Sequence, residues 1–151
     1  MTITTRTDIL TAAKAALVAA GTAAASRVYI TRSNPVAPSE MPAITLTIER
    51  EQGEVMVPGQ SGLCTTEWWR TSELQIGCFV VDTNDADADA ALTALVEEVR
   101  EALLGDVTAL AGIYQIDSTA AEYFVTTGQS AEYAAACRMV WSLRYDVQYG
   151  V

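Results

Sequence analysis

The chain has 151 residues, half of them hydrophobic, and nineteen acidic against nine basic side chains give it a net charge of −10. That length fits one domain, able to bury roughly 70% of the surface its unfolded form exposes, while apolar runs such as "AALVAAG" fall far short of the ~20 residues that span a bilayer. With Lys14 as the only lysine, the composition excludes a transmembrane protein and a conventional phosphate-tracking nucleic-acid binder.

In chain order, the N-terminus "MTITTRTDIL" lacks the apolar stretch and cleavage site of a secretory signal, so the expected compartment is the cytoplasm. The spacing then predicts a helix over Asp8–Ala20, with Ile9, Ala13, Ala16, Leu17 and Ala20 on one stripe, Thr7 as N-cap and Gly21 at C′. "RVYITR" places Val28 and Ile30 on one face of a short strand, and three prolines between Pro35 and Pro42 force an extended or turning connector. In "AITLTIER", Ile44, Leu46 and Ile48 alternate with polar residues, the pattern of a strand wetted on one side.

The segment from Glu51 to Thr66 reads either as a plain hairpin loop or as a projecting arm whose apolar residues Val55, Met56, Val57 and Leu63 dock on a neighbour. "EWWRTSELQIGCFVV" follows as a long strand with Leu74, Ile76, Cys78 and Val80 inward. Trp68 and Trp69 point to opposite sides near its start, so at least one belongs to a seam or interface. A second helix, two short strands ("GIYQID" and "AEYFVTTG") and a long closing strand complete the order. On the closing strand Met139, Trp141, Leu143, Tyr145 and Val147 share a face. The expected architecture is α+β, a mainly antiparallel sheet with two helices on one face.

"DTNDADADAALTALVEEVREALLGD" raises the question of a cation site. Counted from Asp85, an EF-hand loop needs glycine at its sixth position and glutamate at its twelfth; Ala90 and Val96 stand there. The same residues fit a helix start, with Asn84 or Asp85 as N-cap and Asp87 and Asp89 in the first turn. Leu92, Leu95, Val96, Val99 and Leu103 then form the apolar stripe, and Gly105 ends the run.

No metal site or cofactor is expected. The chain has no histidine, which excludes Ser-His-Asp and Cys-His catalysis and His-ligated metals. "VPGQSGL" and "TTGQSAE" match neither the phosphate loop nor the nucleophile elbow. Glu97 and Glu98 are adjacent on a helix and point apart. Cys64, Cys78 and Cys137 read as buried free thiols. No catalytic residue emerges, and the protein is not expected to be an enzyme.

Taken together, the segments from Asp8, "RVYITRSNPVAPSEMPAITLTIE", "SELQIGCFVVDTNDADADAALTALVEEVREALLGD" and "AAACRMVWSLRYDVQY" resemble, in order and spacing, the tail terminator (minor tail, tail-completion) proteins of long-tailed bacteriophages. The resemblance covers almost the whole chain. It implies a subunit of a six-membered ring that caps the tail tube, stops its polymerisation and offers a docking surface to a head-completion or neck protein. By position, Glu51–Thr66 matches the family's projecting hairpin. This adds to the interface set Val55, Met56, Val57, Leu63, Trp68 and Trp69. DNA would only pass through the lumen, where acidic residues resist sticking. The expected location is the head-proximal end of the virion tail, after assembly in the host cytoplasm. A neck or stopper ring, and a small ligand-binding domain, are the alternatives.

Overall fold

The computed structural model describes residues 5–55, 67–105, 113–127 and 133–146. Helix α1, Arg6–Ala19, is capped by Thr5 rather than Thr7. Asp8 lies three residues after Thr5, so the Asp8 amide donates to the Thr5 hydroxyl (3.3 Å) while the Thr5 amide donates to the Asp8 carboxylate (2.8 Å). This reciprocal pair satisfies two otherwise orphaned donors, which no bond from Thr7 would do. The buried stripe is Ile9, Leu10, Ala13 and Leu17, with Ala20 exposed. Gly21 takes the left-handed conformation (φ +67°) that ends the helix at C′.

Strands β1 (Val28–Ile30), β2 (Ala43–Val55) and β3 (Glu67–Asp82) follow, then α2 (Asp85–Gly105), β4 (Ile113–Thr127) and β5 (Tyr133–Asp146). The five strands form one sheet in the order β1-β2-β3-β5-β4. Every pairing is antiparallel except β1 with β2. Parallel neighbours need a crossover of about a dozen residues. The proline-rich connector from Thr31 to Pro42 supplies it, with a short 3-10 turn at Pro38–Glu40. Arg32 fixes this connector by pairing with Glu40 (2.6 and 2.8 Å) and donating to the carbonyls of Asn34 and Pro35.

The two short strands expected after α2 are a single strand, β4. A register shift between Ser118 and Ala120 absorbs the small residues that read as a break, and pairing with β5 continues on both sides of it. β2 runs to Val55, beyond "AITLTIER", and pairs with β3 as far as Glu67. Val147 and Cys64 lie outside the described residues.

Both helices cover one face of the sheet. Ile44, Leu46 and Ile48 of β2, Leu74, Ile76, Cys78 and Val80 of β3, and Met139, Trp141, Leu143 and Tyr145 of β5 are all buried there. They meet Leu92, Leu95, Val96, Val99 and Leu103 of α2 and the α1 stripe in one core. Each such side chain contributes about 1.5–3 kcal/mol when fully buried. Two long-range bonds set the helices: Arg6 Nε donates to the Ile48 carbonyl (2.7 Å), and the Ala23 amide donates to Glu98 Oε2 (2.8 Å). The acidic stretch before α2 is a helix start, because Asn84 Oδ1 accepts from the Asp87 amide at 2.7 Å and its Nδ2 donates to the Asp87 carboxylate.

Candidate assembly surface

Because side chains alternate along a strand, the residues between the core positions build the second face of the sheet. Neither helix packs on that face, and its described residues are half-buried or exposed except Ala43, which is fully buried beside Phe79. The register fixes their rows. Thr45, Gly77, Arg138 and Glu122 lie across β2, β3, β5 and β4 in one row, and Phe79, Ala136 and Phe124 form part of the next.

The Phe79 ring lies over Gly77. A Cβ built on Gly77 would stand 2.5 Å from Thr45 Oγ1 and 2.8 Å from the Phe79 ring, so this approach requires glycine. Beside it runs a shallow groove of about 260 Å³ lined by Thr47, Gln75, Phe79, Phe124 and Arg138 among others. Phe124 is 50% exposed and its neighbour Tyr123 is 47% exposed. They point to opposite faces of β4, an edge strand. Two adjacent aromatic side chains this exposed on an edge strand make it a candidate docking surface.

Of the residues expected at an interface, Trp69 belongs to this open face, where the Arg144 guanidinium sits 4.9 Å from its ring centroid. Trp68 is in β3 and Val55 ends β2, paired with Glu67, but the side chains of both lie outside the described residues. Met56, Val57 and Leu63 also lie outside them. The groove around Gly77, Phe79, Phe124 and Arg138 was not among the expected residues. Its signal in the sequence is Phe79, an aromatic on the supposedly wet side of an alternating strand.

Several described groups are shifted by local pairing or burial. Arg32 beside Glu40 holds the Glu40 carboxyl down at about 2, and the Arg32 guanidinium also stacks 4.6 Å from the Tyr29 ring centroid. Bonds from Thr5 lower the Asp8 pKa. Burial pushes the thiols of Cys78 and Cys137, which face each other across β3 and β5, above the usual cysteine range. At the far end of the core, Ser72 Oγ lies 2.8 Å from the Tyr145 hydroxyl, and both reach Glu51 Oε1 (3.1 and 3.3 Å). Among the described residues no three His, Cys, Asp or Glu side chains converge as a metal site, and no helix is long and apolar enough to cross a membrane.

No family model and no curated protein matches the chain. In fold it is similar to a chain of the virion of a native gene transfer agent particle, with a TM-score of 0.53 and 13% sequence identity, over 91% of this chain and 94% of that one.

Proposed function

We infer that the protein is a structural component of a phage-like virion that works by assembly, without turnover. The observation that carries this reading is the fold likeness, which spans nearly the full length of both this chain and a chain of a gene transfer agent virion. The open sheet face and the half-exposed aromatics of β4 suit a subunit completed by neighbours. Within that class, the resemblance in segment order favours a tail terminator: a ring on the end of the tail tube that stops tube growth and receives the head-completion or neck protein. The net charge of −10 suits a conduit through which DNA slides without sticking.

The test is to polymerise the cognate tail tube protein with and without this chain and image the products. A terminator gives tubes of limited length with a ring-shaped density on one end. Tubes of unchanged length with bare ends would sink the capping role. A ring bound only to the neck protein would favour the neck or stopper reading. Within the terminator reading, Val55→Asp with Met56→Asp keeps the fold and abolishes tube capping. Normal capping by that variant would remove the 51–66 arm from the interface.

A further inference from the structure

We propose that the β4 edge of one subunit pairs with the β1 edge of a second copy of this chain, continuing the sheet from molecule to molecule. In β4, both register shifts lie before Ala120, so Ala120–Thr127 is a regular run. It contains no proline, lysine or arginine to blunt the edge, and Glu122 is its only charge. Tyr123 and Phe124, half-exposed on its two faces, would both be covered by an added strand.

Charge selects the occupant. A second β4 would bring Glu122 towards Glu122, and the free edge of β2 beyond β1 carries Glu49, Glu51 and Glu54 against Arg50. β1 is bracketed by Arg27 and Arg32 and has no acid between them; Arg32 is paired with Glu40, and Arg27, whose Nε donates to the Pro42 carbonyl, carries the positive charge at this edge. No backbone hydrogen bond among the described residues joins the proline connector to Val28, Tyr29 or Ile30.

Geometry agrees. The register rows run from Val28 through Ile44, Cys78 and Cys137 to Tyr123, and from Tyr29 through Thr45, Gly77 and Arg138 to Glu122. β1 and the regular run of β4 therefore stand at the same height on opposite edges, with opposite strand directions. Two copies side by side in the same orientation would present them as an antiparallel pair. The contact is head-to-tail, the kind that generates closed rings or filaments. It supplies a contact for the proposed capping ring but does not depend on that role.

The test places Tyr29→Cys and Glu122→Cys on separate chains, each with Cys64→Ser, and exposes the mixture to oxidised glutathione. Cys78 and Cys137 are buried and stay silent. Peptide mass spectrometry is predicted to find the 29–122 link between chains as the main product. A dominant 122–122 link, or no link at any concentration, overturns the proposal. In parallel, Tyr123→Ser with Phe124→Ser should keep the wild-type melting curve and weaken self-association about 30-fold, the scale of an aromatic hot spot; unchanged association overturns it as well. A 29–122 link in a protein that leaves tail tubes uncapped sinks the capping role alone. Capped tubes without a 29–122 link sink the strand pairing alone.

Discussion

Gly77 shows how one residue shapes the open face. Without a side chain it lets the Phe79 ring and the Thr45 hydroxyl close over the strand, and a methyl group there must displace one of them. Gly77→Ala should therefore destabilise the fold by about 1–3 kcal/mol. Thr45→Ala in the same chain should return part of that loss, because the two sites share the clash. Chemical denaturation of the four proteins checks both statements; a neutral Gly77→Ala would mean the face repacks freely. Glu40 gives a pH signature. Its folded pKa, about 2, lies below the ordinary 4.5, so its pairing with Arg32 adds stability above the ordinary value. That contribution fades as pH falls from about 4.5 towards 2. The melting-temperature gap between wild type and Glu40→Gln should accordingly be open at pH 7 and close on acidification. A gap that is the same at both ends would show that the ion pair is not its cause.

Among the elements, α2 carries the largest share of the lid over the sheet, and its start is fixed by Asn84. Asn84→Ala removes the acceptor of the Asp87 amide and should cost about 1 kcal/mol. Leu95→Ala, in the buried stripe, should cost about 2–5 kcal/mol. Equal losses in thermal or urea unfolding would contradict this division between cap and core. The inner faces of β3 and β5 were legible in the sequence because period-2 alternation over Leu74–Val80 and Met139–Tyr145 leaves one choice of face. The unity of β4 was not, because Ser118, Thr119 and Ala120 fell between the two strand candidates and only pairing with β5 carries the strand across the register shift. The Thr5 cap was hidden by a nearby threonine with equal propensity. The parallel pairing of β1 is a tertiary choice that alternation does not encode.

For the whole molecule, the two-layer architecture follows from patterning, but what covers the second face does not. An alternating strand marks one face as core and leaves the other as solvent or as a partner's surface. Trp69 was legible as an interface candidate, since two adjacent tryptophans on a strand cannot share a core. Phe79 and Phe124 gained meaning only when the register placed them in one row beside Gly77. The acidic surface, the open face and the fold likeness to a gene transfer agent virion chain are what support the proposal of a subunit whose work is assembly. That claim is tested most directly by the absolute mass in solution, measured by light scattering across a concentration and salt series, with the tail tube protein present in a parallel series and large species imaged by negative stain. The account predicts closed rings, formed by the protein alone or on the ends of tail tubes. A monomer at every concentration that stays a monomer beside tail tubes would contradict it.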